Sequence, residues 1–132
     1  MLVAIEALDC GPWLREALNE VAEKTGAEWS AQDIIEALQQ EKLFLFMDPS
    51  DSGSFVVLSQ YKHPYLKESV LVCEAAYNKT GDAIAKYQPQ LEKLAKAAES
   101  SYLEFSSPRS GFKRVAATHG YETVCTTYRK KL

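Results

Sequence analysis

One stretch of nine residues constrains the fold more than any other part of the sequence. From Ser69 to Tyr77 the chain reads Ser-Val-Leu-Val-Cys-Glu-Ala-Ala-Tyr, and both alternating faces of this run are apolar for most of its length. A strand with two apolar faces is typical of a sheet that is covered on both sides. The run therefore predicts a central β-strand with helices packed on both faces, in which Glu74 is the one side chain that is charged at neutral pH.

The flanking sequence predicts that helices and strands surround this central strand. Helical spacing and capping signals indicate helices, and turn residues between apolar runs indicate a hairpin. Within the helix after the central strand, Pro89 either introduces a kink or makes the helix restart, and we favour the kink. The predicted elements, in chain order, are a strand at Leu2–Leu8, a helix from Pro12 to Lys24, a helix starting at Ser30, hairpin strands at Leu43–Met47 and Phe55–Leu58, the strand Ser69–Tyr77, a helix at Gly81–Ser100, a strand at Tyr102–Phe105, a helix at Ser110–Thr118 and a strand at Tyr121–Arg129.

Length and composition fit one compact α/β domain spanning residues 1–132. A chain of 132 residues with 46% apolar and 25% charged residues buries enough surface to fold without a disulfide or a structural metal. Its three cysteines are far apart and lack any Cys-x-x-Cys spacing, so reduced thiols and no metal site are expected. No apolar run approaches the roughly 20 residues needed to cross a bilayer, so we expect no membrane association.

Charge is distributed unevenly along the chain. The net charge is -3, but residues 1–108 hold nine basic and seventeen acidic residues, whereas residues 109–132 hold six basic residues and one acidic residue. An acidic balance argues against nucleic acid as a partner. The cationic end is either a solvated face or a patch through which Arg109, Lys113 and Arg114 contact a protein partner or a phosphorylated ligand.

Short motifs at the two ends of the chain, together with the element order, carry a resemblance to a known superfamily. These motifs are Gly11-Pro12-Trp13-Leu14, Trp29–Ile34, Leu103-Glu104-Phe105, Ala117–Tyr121 and Thr127–Lys130. The sequence resembles the GNAT superfamily of acyl-CoA-dependent N-acetyltransferases, and within it the small GNAT-like proteins of phages and prophages. The resemblance implies a central mixed, mostly antiparallel sheet with splayed fourth and fifth strands and helices on both faces. It also implies acetyl-CoA as the cofactor and no metal.

The resemblance places the phosphate-binding turn of the cofactor site directly after the central strand. In such a turn, backbone amides point at the pyrophosphate, and the following helix N-terminus adds a favourable dipole. Asp82 departs from the pattern because it puts a negative charge at the pyrophosphate position, which Lys79 offsets in part. The alternative interpretation is an ordinary strand-to-helix turn with Thr80 or Asp82 as its cap. The residues implied are Asn78, which also departs from the pattern, Lys79, Thr80, Gly81, Asp82 and Ala83.

The resemblance also implies a general base on or near the fourth strand. Glu74 fits this role, because a partly buried carboxylate there would accept the proton of a substrate amine, directly or through water. The alternative is a carboxylate that is paired with a cation or exposed. Beside it, the strand edge at Cys73 and Ala75 would orient the pantetheine arm of the cofactor. The tyrosine that acts as general acid in the superfamily is replaced here by Ala116.

Two functions therefore stay open at the level of sequence. The first is an N-acetyltransferase that binds acetyl-CoA at residues 73–83 in the cytoplasm of a bacterial host. The second is a non-catalytic GNAT-fold module of a phage particle or its assembly pathway, which binds a protein partner or a second copy of itself. The enzyme hypothesis requires the fourth and fifth strands to diverge beside free amides at Thr80–Ala83.

Overall fold

The protein folds into a mixed layer of helices and strands. The computed structural model describes residues 1–51, 53–107 and 112–132. None of the helices in these ranges is both long enough and apolar enough to span a membrane. The elements are β1 (Val3–Ile5), a 3₁₀ turn (Ala7–Asp9), α1 (Trp13–Thr25), α2 (Ala31–Gln39), β2 (Phe44–Met47), β3 (Phe55–Lys62), β4 (Ser69–Tyr77), α3 (Ala83–Ala97), β5 (Tyr102–Phe105) and α4 (Phe112–Thr118).

The five strands form one sheet in the order β1-β2-β3-β4-β5. Each of the first three neighbouring pairs is antiparallel, and β4 and β5 run parallel because α3 connects them. The prediction of a mixed, mostly antiparallel sheet is confirmed. The central position of Ser69–Tyr77 is also confirmed, since β4 has a neighbouring strand on each side.

Helices cover both faces of the sheet, as the two apolar faces of β4 predict. On one face, called here the α1–α2 face, Leu14 and Leu18 of α1 pack with Phe55 of β3. On the opposite α3 face, Tyr87 and Leu91 of α3 are fully buried with side chains of β3 and β4. Each apolar side chain of this kind contributes about 1.5–3 kcal/mol when it leaves water. The two clusters therefore hold the sheet between its helical layers.

The start of α2 has the capping arrangement that the sequence predicts. The Ser30 hydroxyl accepts a hydrogen bond from the Asp33 amide at 3.2 Å, and the Asp33 carboxylate accepts one from the Ser30 amide at 2.8 Å. This reciprocal pair satisfies two backbone donors that the helix itself leaves without partners.

Removing this cap is expected to lower the stability of the protein. We expect Ser30→Ala to reduce the free energy of unfolding by about 1 kcal/mol, measured by urea denaturation, because one amide at the helix start loses its acceptor. Ser50→Ala is not a suitable comparison, since Ser50 hydrogen-bonds a buried carboxylate. Ser30→Asp is the matched control, because aspartate supplies an equivalent acceptor. Equal losses in both variants would contradict the capping role.

Several element boundaries differ from the sequence predictions. The first strand is confined to Val3–Ile5, because the chain turns into the 3₁₀ segment at Ala7. Helix α3 runs through Pro89 as one helix, as predicted. The predicted start of the last helix at Ser110 lies outside the described residues, and Gly120 has the expected left-handed backbone at φ +83°.

The predicted final strand at Tyr121–Arg129 is wrong. Residues 121–132 have no regular secondary structure, and residues 122–132 are all exposed. This segment is rich in β-branched and aromatic residues. Such residues favour a β-strand only where a neighbouring strand is available to pair and pack with them. Within the described part of the chain, this segment has no such neighbour.

Candidate functional site

Strands β4 and β5 pair over only half the length of β4. The last pair is Cys73 with Phe105, and β4 then continues to Tyr77 without a described partner on that side. This region beside residues 74–77, beyond the end of β5, is called here the β4–β5 cleft. The pairing ends because β5 itself ends at Phe105, so the divergence of the fourth and fifth strands stays a prediction.

A β-bulge lies at the point where the cleft begins. Val57 of β3 pairs with Ala75, but the next residue, Leu58, pairs with Cys73, so Glu74 is an extra residue in β4. The bulge reverses the alternation of side chains along the strand. Cys73 belongs to the cluster on the α3 face, whereas Ala75 belongs to the cluster on the α1–α2 face. Bulges of this kind bend a strand and are common beside active sites.

Glu74 projects from the bulge on the α1–α2 face of the sheet. Its Oε1 accepts a hydrogen bond from the Ser59 hydroxyl at 2.7 Å, and the side chain is exposed. The expectation of a partly buried carboxylate is therefore wrong, because the extra residue of a bulge is lifted out of the packed ladder. Exposure leaves the carboxylate accessible to a ligand.

Cys73 and Ala75 flank Glu74 and are both buried. Burial, together with the nearby charge of Glu74, raises the pKa of the Cys73 thiol to about 12. Its Sγ donates a weak hydrogen bond to the Ala75 carbonyl at 3.6 Å. Because the thiolate is the nucleophilic form of cysteine, Cys73 contributes packing and shape rather than reactivity.

The turn after β4 satisfies much of its own hydrogen bonding. The Gly81 amide donates to the Asn78 carbonyl at 3.3 Å, and the Asp82 amide donates to Asn78 Oδ1 at 2.9 Å. Asn78 is 4% exposed and returns a bond from Nδ2 to Asp82 Oδ1 at 2.6 Å. The expectation of free amides throughout Thr80–Ala83 is therefore wrong for Gly81 and Asp82, because the buried Asn78 occupies both donors.

The Asp82 carboxylate is the negative charge of this turn. It accepts hydrogen bonds from the Thr80 hydroxyl and from Asn78, and these bonds hold the pKa of Asp82 below its ordinary value. Asp82 therefore stays ionised at neutral pH. Asp82 is the N-cap residue of α3, in the position that the alternative interpretation gives it, but its side chain forms no capping hydrogen bond within the described structure.

The N-terminus of α3 adjoins this turn. Ala83 is its first residue and is buried. The first amides of a helix have no acceptor within the helix, and no side chain of the described residues caps them here. Lys79 lies exposed in the turn, and it has no ion pair among the described residues. These amides and the Lys79 ammonium are the donors that an anion would meet.

Tyr121 is a residue near the cleft that the sequence interpretation assigned to a strand. Its ring packs edge-on against Phe105, with the ring centroids 4.8 Å apart, and its hydroxyl donates to Gln88 Oε1 at 2.9 Å. Burial raises the pKa of Tyr121. The signal that could have located it is the left-handed Gly120, which ends α4 and turns the next side chain back toward the sheet.

Glu104 adds a second carboxylate to the same surface as Glu74. Its Oε1 accepts a hydrogen bond from the Tyr61 hydroxyl at 2.8 Å, and this bond raises the pKa of Tyr61. Glu104 pairs with Val72 in the β4–β5 ladder, two residues before Glu74, which places both carboxylates on the α1–α2 face. The sequence interpretation gave Glu104 no role of its own, since it named this residue only as part of the Leu103-Glu104-Phe105 motif.

Two further surface features occur at the β1 edge and on α4. An open cavity of about 440 Å³ at the β1 edge is lined by Val3, Trp13 and Met47 and reaches Lys79.

Lys113 and Arg114 of α4 are exposed, which is compatible with a contact patch, and Arg109 lies outside the described residues. No group of three or more potential metal ligands occurs in the ranges that the structure describes.

Comparisons with known proteins identify the fold. The chain is similar to the ribosomal-protein-alanine N-acetyltransferase from Brucella melitensis biovar Abortus 2308, with a TM-score of 0.67, 11% identity and coverage of 100% of this chain and 99% of that one. For an acetyltransferase from Trypanosoma brucei the TM-score is 0.66 and the sequence identity 13%, and the match covers 100% of this chain and 99% of that one. For an aminoglycoside acetyltransferase from an uncultured soil metagenomic sample, in complex with sisomicin, the TM-score is 0.66 and the identity 9%, with coverage of 100% of this chain and 96% of that one.

These likenesses span the whole chain and show that it has the fold of GNAT acetyltransferases. No family model matches the sequence, and no curated protein matches it either. At 9–13% identity the structural likeness shows the fold alone. The resemblance to phage-encoded proteins stays a prediction.

Proposed function

We propose that this GNAT-fold chain is an acyl-CoA-dependent N-acyltransferase that binds acetyl-CoA in the β4–β5 cleft. The observation that carries the proposal is the coincidence of two features at Cys73, where the pairing with β5 ends and the bulge in β4 begins. The backbone edge at residues 74–77 then leads directly to the uncapped N-terminus of α3.

The chemistry of acetyl-CoA matches these two features. Residues 74–77 would hold its extended pantetheine arm, which contains amide groups, as they would an added strand. The N-terminus of α3 would hold its phosphates, because backbone N–H groups and the helix dipole favour negative charge there. The Lys79 ammonium adds a positive charge beside them.

When bound, acetyl-CoA supplies an acetyl group activated as a thioester. An acceptor amine would form the new C–N bond at the carbonyl carbon of this group, while the C–S bond breaks and CoA leaves as a thiolate. Glu74 accepts the proton that the amine loses, since its carboxylate is exposed at the cleft. Ala116 provides no acid, but a thiolate leaves without one more readily than an alkoxide, because thiols have pKa values near 8.5.

The acceptor is an amine that approaches over the α1–α2 face. Glu74 and Glu104 lie on this face, where each accepts a hydrogen bond from a hydroxyl group, and neither has an ion pair with another described residue. Two carboxylates of this kind attract a positively charged acceptor. The acceptor is therefore a cationic amine rather than a neutral one.

One observation favours a second candidate function, a non-catalytic binding module. Asn78 occupies the amides of Gly81 and Asp82, and the ionised Asp82 lies in the turn that would receive the phosphates. A turn that supplies its own anion competes with an anionic ligand. In this alternative the chain keeps the fold and uses its surface to bind a partner.

Calorimetric titration with acetyl-CoA separates the two functions. We expect the wild-type protein to bind acetyl-CoA and Asp82→Asn to bind it about ten-fold more tightly, because a repulsive charge near the phosphates is removed. Asparagine keeps an oxygen that accepts from Thr80 and Asn78, so the turn retains its bonds.

The matched control is Glu99→Gln, which changes the net charge equally at the other end of α3. It is expected to leave the affinity unchanged, since a helix of 15 residues separates the charge from the phosphates by about 22 Å. The absence of binding to the folded wild-type protein and to Asp82→Asn at millimolar acetyl-CoA would contradict the enzyme and favour the binding module.

A further inference from the structure

The helices leave part of the α1–α2 face uncovered at the β1 edge of the sheet. Val3 pairs with Met47 and Ile5 pairs with Leu45, so both β1 side chains lie on this face. Leu45 is 3% exposed, whereas Val3 is 46% and Ile5 is 40% exposed. Strand β1 therefore presents two apolar side chains to solvent beside the covered core.

The open cavity of about 440 Å³ that these two side chains line is called here the β1-edge cavity. Trp13 at the start of α1 also lines it, as do Pro49 and Gly53 from the loop between β2 and β3. A Cβ built on Gly53 would meet no atom within 4 Å, so the loop leaves space there. Cavities of about 300–1,000 Å³ with mostly apolar walls are typical of small-molecule sites.

Asp48 is one of two charged residues among the described residues that line this cavity. It is buried, and its carboxylate accepts hydrogen bonds from the Ser50 hydroxyl at 2.6 Å, the Ser50 amide at 3.0 Å and the Tyr87 hydroxyl at 2.9 Å. These bonds hold the pKa of Asp48 well below its ordinary value. The carboxylate is therefore ionised but already satisfied, and it anchors the loop.

Lys79 is the other charged residue of the cavity. Its side chain is exposed and forms no ion pair with any described residue. An ammonium group carries three hydrogen-bond donors, so Lys79 can still bind an anionic group. The free cation and the satisfied anion together favour a negatively charged ligand.

We propose that the β1-edge cavity binds a small organic anion with an apolar, aromatic body. The body packs on Val3 and Ile5 and against the Trp13 indole, since aromatic rings pack well edge-on or offset. The anionic group meets the Lys79 ammonium. This binding does not require the proposed enzymatic activity, although Lys79 also adjoins the turn proposed for the phosphates of acetyl-CoA.

Fluorescence titration with anilinonaphthalene sulfonate tests this proposal. The probe joins an apolar aromatic body to one sulfonate group, and its fluorescence reports binding to apolar surface. Titration without acetyl-CoA keeps the result independent of the proposed cofactor site. We expect saturable binding to the wild-type protein. Ile5→Glu is expected to weaken it by more than about ten-fold, because a carboxylate in the cavity repels the sulfonate and removes apolar contact.

Phe44→Glu is the matched control for Ile5→Glu. Phe44 is also exposed, and it pairs with Leu58, which places it on the α3 face in a separate apolar groove. This variant changes the net charge equally and is expected to leave the affinity unchanged. An equal or greater loss in Phe44→Glu would contradict the proposal, because the probe would then not be confined to the β1-edge cavity.

The role of Lys79 is tested with a second probe, phenylnaphthylamine, which has a similar aromatic body without the charge. Lys79→Gln is expected to weaken the sulfonate probe by about five-fold, the size of effect of an exposed ion pair. It is expected to leave the neutral probe unchanged. Lys113→Gln, which removes another exposed cation, is expected to change neither affinity.

Circular dichroism confirms that each variant is folded, and the exposed Lys79 keeps the test decisive if Ile5→Glu does not fold. The absence of sulfonate binding to the folded wild-type protein at millimolar probe would overturn the proposal. Equal effects of Lys79→Gln on the two probes would also overturn it, because Lys79 would then not recognise the charge.

Discussion

Replacing Gly81 with tryptophan is expected to weaken acetyl-CoA binding by more than about 100-fold, as measured by calorimetry, a loss of more than about 2.7 kcal/mol. Gly81 has φ +78°, and a Cβ built on it would meet no atom within 4 Å. The indole ring would therefore project into the open space above the turn, where the proposed site holds the phosphates. A side chain at this φ also strains the turn by about 1–2 kcal/mol.

The control for Gly81→Trp must separate strain from blocking. Gly11→Trp serves this purpose, because Gly11 also has a left-handed backbone, φ +69°, and open space around its Cβ. It precedes α1 and is remote in sequence from the turn after β4. We expect Gly11→Trp to be destabilised to a similar degree but to bind acetyl-CoA normally. Wild-type affinity in Gly81→Trp would show that the phosphates do not lie at this turn.

Replacing Phe55 with alanine is expected to lower the free energy of unfolding by about 3–5 kcal/mol, as measured by urea denaturation. Phe55 is fully buried at the start of β3. Its ring stacks on Tyr77 with centroids 5.6 Å apart and packs against Trp13 at 6.0 Å. The ring therefore fixes the last residue of β4 beneath α1, and its removal leaves a cavity between the sheet and the helix.

A matched substitution on the neighbouring strand gives the control. Phe44 on β2 is 51% exposed, so Phe44→Ala is expected to cost less than about 1 kcal/mol. Phe55→Leu keeps most of the apolar volume and remains measurable if Phe55→Ala does not fold. Equal losses at positions 44 and 55 would contradict the packing described for the α1–α2 face.

The sequence was sufficient to predict the arrangement of layers, because the signals involved are local or periodic. The two apolar faces of Ser69–Tyr77 predict a central strand, and Ser30 with Asp33 predicts the start of α2; both are confirmed. A capping box depends on residues three apart, and strand burial depends on alternation, so neither needs tertiary information.

The detailed geometry of the cleft could not be predicted in the same way. The bulge at Glu74 results from how β3 and β4 pair, and the sequence shows it only as one polar residue in an apolar run. The bonds of Asn78 to two amides of the turn depend on its burial, which local sequence does not report. The prediction of a strand at Tyr121–Arg129 is wrong for a related reason, since strand propensity does not specify a neighbouring strand to pair with.

The bulge at Glu74 also limits which insertions and deletions the chain can tolerate. Residues of β4 before the bulge supply the α3 face at Leu71 and Cys73, and residues after it supply the α1–α2 face at Ala75 and Tyr77. Deleting Glu74 itself would leave a regular ladder in which Cys73 still pairs with Leu58 and Ala75 with Val57, so each keeps its face. Closing the bulge with all nine residues retained would instead shift the strand beyond it by one residue and exchange its faces, because a one-residue slip inverts a strand. Position 74 is thus the place where β4 can lose one residue without inverting either of its packed faces.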